Sequence, residues 1–168
     1  MRVLVTYATR HASTAEIAEA IGHVLSAIAT ADTVDVLPVE DVDDVEDYDA
    51  VLLGSAIYDG LWLDPARQFA HDNSELLASR PVWLFSSGPI GEPPVPGTDV
   101  GDVSTVAELI QARGHKLFAG KLRVAELALD ERSTMRQVHG VEGDYRDWNS
   151  IRAWTAEVAD SLSPATSI

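Results

Sequence analysis

The stretch Arg2-Val3-Leu4-Val5-Thr6-Tyr7-Ala8-Thr9-Arg10-His11-Ala12-Ser13-Thr14-Ala15-Glu16-Ile17 decides the fold. Its first part, Arg2 to Tyr7, is rich in β-branched residues and continuously apolar in the middle, the pattern of a strand buried on both faces and therefore central in a parallel sheet. A polar stretch, Ala8 to Ser13, then opens onto Ile17, Ile21, Val24, Leu25 and Ile28, whose spacing is that of one helical face. Ser13 followed three residues later by Glu16 is the capping-box signature for the start of that helix.

The rest of the chain repeats this alternation. Thr33 to Val39 predicts a second strand, Ala50 to Ser55 a third and Pro81 to Ser87 a fourth. Leu63 to Ser79 predicts a helix entered near Asp64 and Pro65, since proline fits a first helical turn. Gly88 to Gly101 holds four prolines and four glycines and predicts a long loop. Val103 to Ala112 predicts a helix with Gly114 as its C-cap, His115 to Leu122 a fifth strand, and Trp148, Ile151, Trp154, Val158 and Leu162 a final amphipathic helix. Between them, Arg123 to Arg146 shows no convincing period, although Leu127, Leu129 and Met135 would suit a short helix. Five strands alternating with helices imply an α/β domain over residues 1–168, a five-stranded parallel sheet doubly wound into three layers. Ligands of such sheets bind beyond the carboxyl ends of the strands.

Composition narrows the chemistry. The 168 residues contain no cysteine, which excludes disulfides, thiolate nucleophiles and iron–sulfur ligation, so redox chemistry would need an organic cofactor. A net charge of −15 argues against nucleic-acid binding and suits a basic protein partner. Met1 to Arg10 lacks the organisation of a secretory signal, and no apolar stretch approaches the ~20 residues that span a bilayer, so a cytoplasmic protein is expected. His11, His23, His71, His115 and His139 fall in different elements without metal-ligand spacing, so no metal is assigned. Ser86 and Ser87 lack the nucleophile-elbow pattern of a hydrolase.

Three segments meet the expected ligand edge. Thr9-Arg10-His11-Ala12-Ser13-Thr14 is hydroxyl-rich and opens on a helix N-terminus, whose unpaired amides and dipole suit a phosphate; the alternative is that Ser13 and Thr14 only cap the helix. Ala56-Ile57-Tyr58-Asp59-Gly60, ahead of Leu61-Trp62, brings two aromatics to that edge, with Tyr58 the better stacking candidate and Trp62 the better core anchor. Ser86-Ser87-Gly88-Pro89-Ile90-Gly91 offers small residues that let backbone groups approach a ligand's ring closely; the alternative is an ordinary turn before the proline-rich loop, and its place at the same edge favours the ligand reading. Seven acids lie in Glu40 to Asp49, at the opposite end of the sheet, read as a solvated loop in preference to a docking surface.

Val3 to Ile17 resembles the flavodoxin signature, a strand followed by a turn of the form S/T-x-T-G-x-T around the phosphate of FMN. The resemblance implies strand order 2-1-3-4-5, with hydroxyls from Thr9, Ser13 and Thr14 and amides from Arg10 to Ala15. His11 stands where a threonine is usual and Ala12 where a glycine is; a positive φ at Ala12 would cost about 1 kcal/mol. Within the superfamily, Thr9-Arg10, Gly54 to Gly60 and Tyr145-Arg146-Asp147-Trp148 resemble the menaquinone-dependent protoporphyrinogen oxidases. The acids Glu126, Asp130, Glu131, Glu142 and Asp144 argue against a membrane quinone partner.

The resemblance thus implies an FMN flavoprotein, an oxidoreductase or electron carrier serving a redox protein partner or a small electron acceptor. The enzymatic alternative is a protoporphyrinogen or quinone oxidoreductase, with Gly88 to Gly101 and Arg123 to Arg146 as a substrate lid. A third is a flavin-free interaction module on the same fold. A phospho-receiver is disfavoured, because Thr9, Arg10 and Ser55 stand where its acids would be needed. The sequence carries no signal for oligomeric state.

Overall fold

A computed structural model describes residues 1–28, 31–88, 101–123, 128–130 and 142–163. Strand β1 (Arg2–Ala8) leads into helix α1 (Ser13–Ala27), followed by β2 (Thr33–Pro38) and a short 3-10 turn (Val39–Asp41). Then come β3 (Ala50–Tyr58), β4 (Leu61–Trp62), α2 (Asp64–Asp72), α3 (Ser74–Ala78), β5 (Val82–Ser87) and α4 (Gly101–Leu109). β6 (Gly114–Phe118), β7 (Lys121–Leu122), β8 (Gly143–Asp144) and α5 (Trp148–Leu162) complete the described elements.

The sheet runs β2-β1-β3-β5-β6 with every pair parallel, which is the expected order 2-1-3-4-5 once the two-residue β4 is set aside. Alternation along each strand divides the core in two, because successive side chains point to opposite faces. Leu4, Val51, Leu53, Val82 and Leu84 pack against Phe69, Leu77, Val106 and Ile110 of α2, α3 and the α4 segment. Val3, Val5, Leu52, Trp83 and Phe85 pack against Ile17, Ile21 and Leu25 of α1 and Ile151 and Val158 of α5. Helices on both faces of a parallel sheet give the flavodoxin-like α/β architecture. Gly22 lets α1 lie close on β2, since a Cβ there would stand 2.4 Å from Val36 Cγ2.

Several boundaries differ from the sequence expectation, each for a local reason. Strand three runs on to Tyr58 and turns back through Asp59 (φ 51°) and Gly60 (φ 76°) into β4, a two-residue hairpin rather than an open loop. The predicted helix Leu63–Ser79 breaks at Asn73, whose side-chain amide donates to the Phe69 carbonyl at 2.9 Å. Gly114 is not a C-cap but the first residue of β6. The left-handed position falls to Gln111 (φ 51°), with Ala112 N–H donating to Ala107 O and Gln111 N–H to Glu108 O, a Schellman closure. The predicted strand His115–Leu122 ends at Phe118, and Lys121–Leu122 pairs instead with Gly143–Asp144. The acidic run does not all lie at the far end: Glu40 and Asp41 directly follow the carboxyl end of β2. Pro89, Ile90, Gly91, Leu127, Met135 and His139, with most of the two segments proposed as a lid, lie outside the described residues.

Candidate functional site

Register brings the carboxyl ends of the central strands level, with Ala8 beside Ser55, Ala56 beside Ser87 and Ser87 beside Phe118. The turn after β1, the β3–β4 hairpin and Gly88 therefore share one edge.

The first turn departs from the capping box. Ala12, at φ 64° and ψ −8°, takes the N-cap position, so helical geometry begins at Ser13, one residue earlier than the box requires. Glu16 N–H donates to Ala12 O at 3.0 Å, closing the first helical bond. By helix geometry the amides of Ser13, Thr14 and Ala15 lack intrahelical acceptors. Among the described residues Thr9 Oγ1, Ser13 Oγ and Thr14 Oγ1 are buried with no hydrogen-bond partner, and Thr14 is fully buried. Leaving three hydroxyls buried and unbonded costs about 1–3 kcal/mol each, so the local sequence is poorly matched to its own backbone. Three donors clustered at a helix N-terminus fit a phosphate, whose oxygens accept what the protein leaves unaccepted. Their chemistry fits the phosphate of FMN, and among the described residues none of the three hydroxyls caps the helix.

The hairpin folds over this turn. The Arg10 guanidinium lies 4.4 Å from the Tyr58 ring centroid, and His11 meets the same ring edge-on at 6.2 Å. Ile57, Tyr58 and Gly60 are half-buried, Asp59 is exposed and Ala56 is buried. Ser55 Oγ fixes the hairpin's return, accepting the Leu63 N–H at 3.0 Å.

On β5, Ser86 is fully buried, and its hydroxyl is taken up by Trp62 and His115. Trp62, 1% exposed, is thus a core anchor, tied further by its N–H to Asp102 Oδ2 at 3.2 Å. Ser87 is buried, and the Gly88 N–H donates to Phe118 O at 2.9 Å, so that amide is spent within the protein. What this segment can offer a ligand is the remaining backbone and the Ser87 hydroxyl. Pro89 and Gly91 lie outside the described residues.

The site's electrostatics include groups that sequence reasoning missed. Arg146, its side chain 4% exposed, donates from Nε and Nη2 to the two Asp144 carboxylate oxygens at 2.8 and 2.6 Å and from Nη1 to Glu16 Oε2. Hydrogen bonding to Arg146 holds the Asp144 carboxyl below its usual range and, reciprocally, raises Arg146. At the end of β1, burial chiefly, then the charges of Glu19, Asp41 and Glu40, push the Tyr7 phenol up. Partners separated by 130 residues, as Arg146 and Glu16 are, leave no periodic signal.

A family model described as the flavodoxin domain matches residues 4–149. A search of curated proteins finds no match. Among solved structures, this chain is similar to flavodoxin 1 from Bacillus cereus at 16% identity and a TM-score of 0.63, covering 97% of this chain and 100% of that one. The flavodoxin of Streptococcus pneumoniae TIGR4 gives 18% and 0.64 over 96% and 99%. A flavodoxin from the domain Archaea gives 18% and 0.62 over 96% and 99%.

Proposed function

The chain belongs to the flavodoxin domain family, and on that premise we propose that it is a cytoplasmic FMN-binding electron-transfer protein. The turn Thr9 to Thr14 would hold the phosphate, and the hairpin Ala56–Gly60 and Ser86–Gly88 would take the ring; Pro89 and Gly91, expected from the sequence to join them, lie outside the described residues. The observation that carries this reading is that the hydroxyls of Thr9, Ser13 and Thr14, in the turn leading into α1 and its first residues, are buried without a hydrogen-bond partner among the described residues.

FMN, when bound, supplies reversible one- and two-electron transfer through its ring. The chain's own part is binding and electrostatics. Thr9, Ser13 and Thr14 would donate to the phosphate oxygens together with the first amides of α1, and Tyr58 would give the ring an aromatic wall. Arg10 stacks on Tyr58 and so couples the phosphate turn to that wall. A redox partner with a basic face suits a chain of net charge −15.

The absorbance of protein purified as expressed, followed by titration of apo protein with FMN and riboflavin, tests the proposal. Tight FMN uptake with much weaker riboflavin uptake is expected. No uptake of either at tens of micromolar would sink it and favour a flavin-free module. The alternative, kinship in activity with protoporphyrinogen or quinone oxidoreductases, is tested by turnover of a tetrapyrrole or a quinone by the loaded protein. Its motivation is that Thr9-Arg10 and Tyr145–Trp148, two of the segments carrying that resemblance, both border the phosphate turn, the second through Arg146 and Glu16.

A further inference from the structure

Glu16 stands in the first turn of α1 but does not cap it. Every Cα–Cβ bond of a helix tilts toward the N-terminus, so a side chain there leans over the turn before it. The free amides and the dipole attract a carboxylate as they attract a phosphate. An unrestrained Glu16 is therefore a competitor built into the phosphate turn, both as an intramolecular acceptor and as a negative charge beside a dianion.

The fold holds that carboxylate elsewhere. The β7–β8 pairing brings Asp144 beside Lys121, and the chain then carries Arg146 onto α1. Both Asp144 oxygens accept from the guanidinium, and the Trp148 ring lies 4.6 Å from its centre. This grip fixes Arg146 before Glu16 is considered, which is what a planar five-donor group does better than an ammonium. Nη1 then takes Glu16 Oε2, and Lys121 Nζ lies 3.9 Å from Oε1, so both oxygens face cations.

We infer that Arg146 is a positioning residue for cofactor binding. By holding the Glu16 carboxylate off the first turn of α1, it leaves the amides and the Thr9, Ser13 and Thr14 hydroxyls to a phosphomonoester and neutralises the adjacent negative charge. The inference rests on the reading of that turn as the FMN phosphate site.

The test titrates apo wild type, Arg146→Met, Glu16→Gln and the double variant with FMN and with riboflavin, following flavin fluorescence. Arg146→Met is expected to weaken FMN by about tenfold while changing riboflavin by less than about twofold. Glu16→Gln in the Arg146→Met background removes the competitor and returns FMN affinity to within about threefold of wild type. Equal loss for both flavins, or no recovery in the double variant, would make Arg146 a merely structural residue and overturn the inference. Should circular dichroism show Arg146→Met unfolded, Arg146→Lys decides: a selective FMN loss recovered by Glu16→Gln supports the inference, and an unchanged FMN-to-riboflavin ratio overturns it. Wild type taking up neither flavin overturns this inference together with the phosphate reading. Wild type preferring FMN, with that preference unchanged in the variants, overturns the inference alone.

Discussion

Ser86 Oγ lies 2.7 Å from His115 Nε2 while accepting the indole N–H of Trp62 at 2.8 Å. Donation of the hydroxyl proton to Nε2 requires the neutral ring with its own proton on Nδ1, the form that burial favours. Although His115 as a whole is solvent-exposed, its Nε2 ends on the fully buried Ser86 hydroxyl, and desolvation there holds its pKa below the ordinary 6.5. The native state thus binds fewer protons than the unfolded chain below that value. Its stability is complete above 6.5 and is lost as pH falls toward the lowered native value. Thermal melts of wild type and His115→Gln between about pH 5 and 7.5 should show the wild-type midpoint falling more steeply toward acid. Parallel curves would mean that His115 titrates alike in both states.

Ala12 sits at φ 64°, where glycine is at ease and an L side chain is strained. Ala12→Gly should therefore raise the stability of the apo protein by about 1 kcal/mol in urea denaturation, the relieved left-handed strain outweighing the added freedom of the unfolded chain. Ala12→Val should lower stability, because a β-branched residue tolerates that region least. A destabilising Ala12→Gly would show that the turn is held by something other than its backbone preference.

These two cases mark what was legible in the sequence. The run Arg2 to Tyr7 and the stripe Ile17, Ile21, Leu25 gave the sheet and its first helix, since burial on both faces and on one face leave different periods. The need for positive φ at Ala12 was legible from the signature. The hairpin was legible too, because Asp59-Gly60 is a strong two-residue turn signal, but it was obscured by the apolar run into Leu61-Trp62. The helix break at Asn73 and the closure at Gln111 depend on individual side-chain and backbone bonds that no periodicity encodes. Ser86 with Trp62 and His115, and Arg146 with Glu16, join distant positions through tertiary contact alone. Those pairings decide which hydroxyls are occupied and which are left to a ligand.

Gly54, in the middle of β3, has no room for a side chain. A Cβ there would meet the Phe85 ring at 2.2 Å, and Phe85 is itself fully buried between β3, α5 and Trp154. Gly54→Ala should destabilise by about 2–3 kcal/mol through overpacking. Phe85→Leu, destabilising alone through a cavity, should be tolerated better in the Gly54→Ala background than in wild type, because each change relieves the other. Strict additivity in a denaturant double-mutant cycle would refute the direct clash.

Thr14 separates stability from binding. Its hydroxyl is fully buried without a hydrogen-bond partner among the described residues, so the apo fold bears the desolvation of that group and gains no bond in return. Valine has nearly the same shape and lacks the hydroxyl. Thr14→Val should therefore stabilise the apo protein, by about 1 kcal/mol in urea denaturation. In the proposed function the same hydroxyl donates to a phosphate oxygen, a charge-assisted bond worth about 1.5–3 kcal/mol, so FMN affinity should fall roughly tenfold or more while riboflavin affinity holds. Opposite signs in the two assays are the expected outcome, since a group kept for a ligand burdens the fold that keeps it. If Thr14→Val lowers apo stability and leaves the FMN-to-riboflavin ratio untouched, the hydroxyl serves the fold, and the phosphate must be held by the amides and its neighbours alone.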